Sequence, residues 1–326
     1  MNKALRALAC ALVCAAAPIA QAQQAAPAPL VVDLWPEGHL ANAPNDAPEQ
    51  VGSDGSARGA VRNVMHPRLE IHRAAQPNGS AMLVLGGGGY FRIQIGSAAR
   101  PTAQWLAAIG VTSAVLYYRL PADGWPASAP FADAQRAMRI LRAHAGEWGI
   151  DPERIGAVGF SAGANLAGIL GTRADEDFYA PLDATDRLPA RPALVGMIYP
   201  VVSLRAPLDG TRTRRELDTQ ADAVEAYSVE LHVDDATPPT FLAHAADDPI
   251  ADVGHSLTMF DALRGHGVPA ALHVFAHGGH SWGLGTPGSE PADWPRLFAN
   301  WARGLGVFDP ARADPRDALP EDDEDA

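Results

Sequence analysis

Short apolar runs alternate along this chain with longer segments in which apolar residues recur every three or four positions. The short runs are continuous, which is typical of strands that are covered on both faces. The longer segments have the period of helices with one buried face. Six strands are predicted, at residues 81–85, 111–117, 155–159, 193–199, 240–245 and 270–275.

Helical period is clearest in three stretches. Their apolar positions are Ala134, Met138, Leu141, Ala145 and Trp148, then Leu257, Phe260 and Leu263, and finally Trp294, Leu297, Phe298, Trp301 and Leu305. We expect the Met and aromatic side chains among them to lie in the core. The alternation of strands with helices predicts an α/β fold with a mostly parallel sheet and helices on both faces. Such sheets carry their chemistry in loops at the carboxyl ends of strands.

The loop after residues 155–159 contains a candidate nucleophile. Gly-Phe-Ser-Ala-Gly, centred on Ser161, follows this strand and precedes a helical stretch, residues 164–171. A sharp strand-to-helix turn strains the serine backbone and exposes its hydroxyl, and the flanking glycines avoid collisions with neighbouring backbone. The alternative is a serine that caps an ordinary helix.

Two later loops offer the base and the acid that a serine nucleophile needs. Asp247 and Asp248 follow residues 240–245, and His277 and His280 follow residues 270–275. The order Ser, Asp, His is the one that this kind of sheet uses. We favour Asp248, which lies further past its strand and four residues after His244. We favour His280 because it follows a Gly-Gly pair that lets its loop bend back. Asp247 and His277 remain the alternatives.

Stabilising the oxyanion of an acyl-transfer reaction requires two backbone donors. One is the N–H of Ala162, directly after the candidate nucleophile. The other is expected from the four glycines that follow the first predicted strand: Gly88 or Gly89, with Gly87 as a further candidate. These glycines could also form no more than a flexible turn.

Aromatic residues beside these loops are candidates for the wall of an acyl or sugar pocket. They are Tyr90, Phe91 and Trp282, and for Trp282 a place in the core is the alternative. Residues 199–240 carry several charges and few apolar anchors. This long segment is expected either to form part of a cap over the site or to be a solvated loop and helix.

In their order along the chain, these motifs resemble the α/β-hydrolase superfamily. The matching segments are Leu-Trp-Pro at 34–36, the glycine run at 86–89, Leu-Tyr-Tyr-Arg-Leu at 116–120, Trp-Gly-Ile-Asp-Pro at 148–152, the serine motif, and the Asp and His loops. Over about residues 30–307 the chain is similar to the secreted bacterial acetyl-xylan esterase and feruloyl-esterase-like (BD-FAE-like) branch. The resemblance implies an eight-stranded sheet, a serine carboxylesterase mechanism and no cofactor.

Two other patterns have simpler explanations. Gly-Leu-Gly-Thr-Pro-Gly at 283–288 matches a dinucleotide fingerprint by its letters, but it follows no strand and has a proline where a helix should begin. His244 and the Asp and His loops could suggest a metal cluster. The serine motif already accounts for those loops, so no metal is expected.

The charge and composition of the chain limit the classes of partner that it can bind. The chain has 25 Lys and Arg against 38 Asp and Glu, a net charge of −13, which argues against nucleic acid or an anionic membrane. Its only lysine is Lys3, so a nucleotide-binding P-loop is excluded. The expected partner is a small-molecule or oligosaccharide ester.

Both ends of the sequence have the composition of segments outside the catalytic domain, which we place at residues 30–308. Lys3 and Arg6 precede an apolar run that ends in Ala-Gln-Ala at 20–22, which predicts a signal peptide over residues 1–22 and a periplasmic or secreted protein. Residues 23–29 are a predicted linker, and residues 309–326 a predicted acidic, disordered tail.

The leading hypothesis is a secreted serine carboxylesterase that removes acetyl, or else feruloyl, groups from carbohydrates. The first alternative is the same machinery acting on an amide, as in aryl-formamidases or peptidases of this fold. The second is a non-catalytic binding protein that retains the fold.

Overall fold

The computed structural model describes residues 28–40 and 43–308. The predicted signal peptide, most of the linker and the predicted tail lie outside the described residues. The strands of the described part are β1 (Leu30–Asp33), β2 (Gln50–Val51), β3 (Ala60–Arg62), β4 (Arg68–His72), β5 (Gly79–Leu85), β6 (Ile93–Gln94), β7 (Thr112–Tyr117), β8 (Ile150–Phe160), β9 (Val195–Ile198), β10 (Thr240–Ala245) and β11 (Ala270–Phe275).

The α-helices of the same ranges are α1 (Arg100–Ala108), α2 (Ala129–Ala143), α3 (Ala145–Trp148), α4 (Ala162–Thr172), α5 (Arg212–Leu217), α6 (Ala223–Tyr227), α7 (Gly254–Gly265) and α8 (Trp294–Gly304). A π-helical turn, Ile95–Ala99, leads into α1. Short 3-10 turns occur at Gly55–Ala57, Pro121–Asp123, Ala184–Arg187, Val229–His232 and Glu290–Asp293. None of the helices in the described ranges is long and apolar enough to span a bilayer.

The main sheet has eight strands in the order β1-β4-β7-β5-β8-β9-β10-β11. The last six are mutually parallel, and β4, near one edge, is antiparallel to both of its neighbours, β1 and β7. The predicted fold, a mostly parallel sheet surrounded by helices, is therefore confirmed. A separate antiparallel sheet consists of β2, β3 and β6. Parallel order brings the carboxyl ends of β5, β8, β10 and β11 to one edge, where all the candidate loops begin.

All six predicted strands are present, and β10 and β11 have the predicted bounds. The largest difference is β8, which begins at Ile150, five residues before the apolar run. The polar start of β8 is a strand because Ile150 pairs with Gly79 at the beginning of β5. Pairing with a neighbouring strand here outweighs the polar composition of the segment.

Two helical predictions need correction. The stripe that ends at Trp148 spans two helices, because α2 stops before His144 and α3 begins after it. Leu257 is 47% exposed, so it is no core residue. The buried face of α7 instead passes through His255, Ser256, Met259 and Leu263. Trp294 and Phe298 on α8 are fully buried, as predicted.

Candidate active site

The turn between β8 and α4 holds Ser161 in a conformation that few residues adopt. Its φ of 54° and ψ of −117° place it outside the regions that L-amino acids favour. A Cβ on Gly159 would lie 2.0 Å from the Gly163 carbonyl oxygen, and one on Gly163 would lie 2.2 Å from the Leu85 carbonyl oxygen. Since both neighbours are backbone atoms, only glycine fits at these two positions.

Hydrogen bonds connect the serine to a histidine and an aspartate from two other loops. His280 Nε2 lies 2.9 Å from Ser161 Oγ, and His280 Nδ1 lies 2.6 Å from Asp248 Oδ2. The Ser161 side chain is almost buried, with the residue 8% exposed. The structure thus brings together the three residues that the sequence analysis favoured, in the arrangement of a base between a nucleophile and an acid.

Four donors surround the Asp248 carboxylate. Oδ1 accepts from the backbone N–H groups of Ile250 and Ala251, at 2.8 and 3.0 Å. Oδ2 faces His280 and a second imidazole, His244. Burial by itself raises the pKa of Asp248, but the hydrogen bonds from His244 and His280 outweigh burial and hold this pKa well below its ordinary value. The group is therefore a carboxylate that can orient His280 and stabilise its protonated form.

The two alternatives lie outside this chain of hydrogen bonds. Asp247 accepts from the N–H groups of Gly278 and Gly279, at 2.9 and 2.7 Å. His277 is exposed, and its Nδ1 lies 3.4 Å from Asp247. Asp247 therefore stabilises the loop that carries His280 through these hydrogen bonds, while His277 faces solvent.

The glycine loop after β5 lies directly beside the serine. A Cβ on Gly87 would be 2.9 Å from Ser161 Cβ and 2.5 Å from the Phe160 carbonyl oxygen. Gly88 and Gly89 have φ values of 128° and 62°, which favour glycine. Within the described residues, the N–H groups of Gly88, Gly89 and Ala162 donate to no protein acceptor. The predicted oxyanion donors are thus uncommitted groups beside the serine.

Ser161, His280 and the glycine loop open onto a cleft with a volume of about 510 Å³. Its other lining residues include Phe91, Arg92, Val201, Arg212, Ile250 and Ser281. The helix α5 of the 199–240 segment supplies Arg212 and Thr213. This segment therefore forms part of the cleft wall, as expected of a cap.

Of the three predicted pocket residues, only Phe91 lines the cleft. Tyr90 is fully buried, and its hydroxyl donates to Asn165 Oδ1 at 3.0 Å. Trp282 packs edge-on against Tyr199, whose ring also contacts His280, with centroid distances of 4.6 and 4.8 Å. Tyr90 and Trp282 are thus supporting residues, and the prediction that they line the pocket was wrong.

Two neighbours of the triad had no predicted part in it: Tyr199, and His244, which the sequence suggested only as a possible metal ligand. Tyr199 packs against the His280 ring from the end of β9. His244, on β10, is fully buried, and its Nε2 lies 2.9 Å from the Ala251 carbonyl oxygen and 3.2 Å from Asp248 Oδ2. Because a carbonyl only accepts, Nε2 carries a proton that it shares with Asp248. The available signal was the spacing of four residues between His244 and Asp248.

The other ring nitrogen of His244 also has a hydrogen-bond partner. Its Nδ1 lies 2.8 Å from Ser256 Oγ, on α7. A serine hydroxyl can donate to an imidazole nitrogen or accept from it, so Ser256 satisfies Nδ1 in either case. The bonds on the two nitrogens fix the orientation of the ring. His244 is therefore a positioning residue, because it acts on the acid and through it on His280.

Comparisons with known proteins find one matching family and several similar esterases. The family profile described as BD-FAE matches residues 69–263. The acetyl ester-xyloside bifunctional hydrolase from Caldicellulosiruptor lactoaceticus is 32% identical, with 87% of this chain and 99% of that chain covered and a TM-score of 0.72. The carboxylesterase Cest-2923 from Lactobacillus plantarum WCFS1 is 22% identical, covers 76% and 95% of the two chains, has a TM-score of 0.66, and shows the same fold.

Two curated relatives are longer proteins. The acetylxylan esterase of Xylanibacter ruminicola is 27% identical over 236 residues, which are 70% of this chain and 46% of the relative. Endo-1,4-beta-xylanase B of Butyrivibrio fibrisolvens is 30% identical over 177 residues, which are 54% of this chain and 26% of the relative. The chain thus spans less than half the length of either curated relative.

Replacement of His244 tests its positioning role. In His244→Phe the bond to Asp248 is lost, and we expect kcat for p-nitrophenyl acetate to fall about 10- to 100-fold, the effect of one hydrogen bond to a charged group. KM should change little, since His244 acts behind Asp248. His244→Gln, whose amide N–H can reach Asp248, should recover part of kcat. Equal kcat in wild type and a folded Phe variant, or equal losses in both variants, would contradict this role.

Proposed function

The chain belongs to the BD-FAE family, and from this membership we propose that it is a serine carboxylic-ester hydrolase that removes acetyl groups from carbohydrates. The observation that carries the proposal is the unbroken series of hydrogen bonds from Ser161 through His280 to Asp248, at the floor of an open cleft. A serine hydroxyl held in this way is the nucleophile that acyl transfer requires.

In the proposed reaction, Ser161 attacks the acetyl carbonyl while His280 takes the hydroxyl proton. The N–H groups of Ala162 and of Gly88 or Gly89 bind the oxyanion that forms. His280 then gives its proton to the departing sugar hydroxyl, which leaves an acetyl-enzyme. A water molecule, deprotonated by His280, attacks this intermediate and releases acetate. Throughout, the charged Asp248 keeps Nδ1 of His280 protonated and the ring aligned.

The names of the relatives support a carbohydrate acetate as the substrate. One relative, covered over 99% of its length, is named an acetyl ester-xyloside bifunctional hydrolase, and a second is named an acetylxylan esterase. The cleft lies within the usual volume range of sites for small ligands, with room for a sugar beside the acetyl group. Feruloyl esters are the second acyl class that this proposal includes.

Three variants test the mechanism with p-nitrophenyl acetate and then with acetylated xylo-oligosaccharides. Ser161→Ala should lose several orders of magnitude in kcat. Asp248→Asn should lose about 10³- to 10⁴-fold, because the amide favours the wrong histidine tautomer. The neighbouring Asp247→Asn is the matched control and should stay within about tenfold, since it only fastens a loop. Activity that survives in Ser161→Ala, or a larger loss in Asp247→Asn than in Asp248→Asn, would contradict the assignment.

We further propose that the protein is exported, with cleavage after Ala22. The support is the order of charged, apolar and small residues in residues 1–22. Cell fractionation followed by N-terminal sequencing should find the protein in the periplasm or the medium with Gln23 as its first residue. Protein that keeps Met1 and stays in the cytoplasm would contradict export.

A further inference from the structure

Three arginines surround the ring of Phe91 in the cleft wall. The guanidinium carbons of Arg212, Arg92 and Arg62 lie 4.5, 5.0 and 6.0 Å from its centroid. Arg92 and Arg212 themselves line the cleft that contains Ser161. In a chain with a net charge of −13, this arginine cluster is a local region of positive charge beside the candidate nucleophile.

The members of the arginine cluster differ in how their charge is balanced. Arg212 forms an ion pair with Glu216, one turn along α5. Burial raises the pKa of Asp123, and backbone N–H groups and the charge of Arg62 oppose this rise. Arg92 forms no ion pair within the described part of the chain, and its Nε is buried there without a hydrogen-bond acceptor. Burial first, and then repulsion by Arg62, lower the pKa of the Arg92 guanidinium.

Burying a cation without a partner costs free energy, and a ligand that supplies the missing hydrogen bonds removes this cost. Guanidinium groups match carboxylates in shape and bind them through two parallel hydrogen bonds. Because Arg92 lines the cleft and only its Nε is buried, a carboxylate that enters with the substrate can pair with the terminal nitrogens of its guanidinium.

The cluster is also positioned close to the reacting ester. An ideal Cβ on Gly88 would lie 2.9 Å from Arg92 Cγ, and one on Gly89 would lie 2.9 Å from Arg212 Cγ. The stems of both arginines thus rest on the two glycines proposed as oxyanion donors. Substrate groups next to the scissile ester are consequently within the range of these side chains.

We propose that Arg92, supported by Arg212, binds a carboxylate on the carbohydrate part of the ester, so that the enzyme prefers acetylated oligosaccharides that carry a uronic acid over neutral ones. This inference rests on the proposed function. Because an acetyl group has no charge, the carboxylate must belong to the alcohol part. Phe91 orients the guanidinium groups by holding them against its ring.

Two small esters test the effect of a carboxylate on the substrate by itself. 4-Acetoxybenzoate and 4-acetoxybenzamide have the same acetyl group and similar phenolic leaving groups, but only the first carries a carboxylate. The measured quantity is the ratio of kcat/KM for the anionic ester to that for the neutral ester, each divided by its rate of hydrolysis by hydroxide. We expect a ratio of about 10 or more in the wild type, as for one hydrogen-bonded charge pair.

Three variants test whether the arginine cluster causes this preference for the anionic ester. In Arg92→Gln the ratio should fall to about 1, because only the anionic ester loses a charge partner, and Arg92→Lys should give an intermediate ratio. Arg296→Gln is the matched control, because it removes one charge from an exposed position on α8 and should leave the ratio unchanged.

A wild-type ratio of 1 or below overturns the inference alone, whatever the variants do. An unchanged ratio in Arg92→Gln, or equal losses on both esters, also overturns it, because the guanidinium would then only pack against Phe91. A wild type that hydrolyses neither ester would overturn the proposed function and this inference with it.

Discussion

The site depends on one steric constraint, the close approach of three backbone segments around Ser161. β8 can turn directly into α4 only because no side chain projects from Gly159 or Gly163, whose missing Cβ atoms would lie 2.0 and 2.2 Å from backbone oxygens. One of these oxygens belongs to Leu85 at the end of β5, so the same contact fixes where the glycine loop begins. The nucleophile and its proposed oxyanion donors therefore share one rigid support, and the strained backbone at Ser161 is held by its surroundings.

A second constraint is electrostatic and centres on Asp248. One carboxylate accepts from two backbone N–H groups and faces two imidazoles, and these bonds keep it charged in spite of its burial. His280 shares that acid with His244, whose far side is held by Ser256. Polar groups buried in such a network confer a fixed geometry when all of them are satisfied. The network thus connects α7 and β10 with the loop that carries His280.

The fold and the three central residues could be predicted because their signals are local. A buried strand, a glycine-flanked serine, and Asp and His loops in a fixed order are each readable in a short window of sequence. The direction in which a loop side chain points cannot be read from such a window. Tyr90 and Phe91 are adjacent, yet Tyr90, at a φ of 59°, is buried against Asn165, whereas Phe91 faces the cleft. His244 and the arginine cluster acquire their roles only through contacts that the fold creates.

The central claim is that Ser161 is the nucleophile, and covalent labelling tests it most directly. The native protein would be treated with a fluorophosphonate, and the intact mass and the modified peptide would be determined by mass spectrometry. If Ser161 is the nucleophile, a single adduct will form on Ser161, and it will form more slowly when an acetyl ester is present. No adduct, or an adduct on Ser281, the serine beside His280 in the same cleft, would contradict this role.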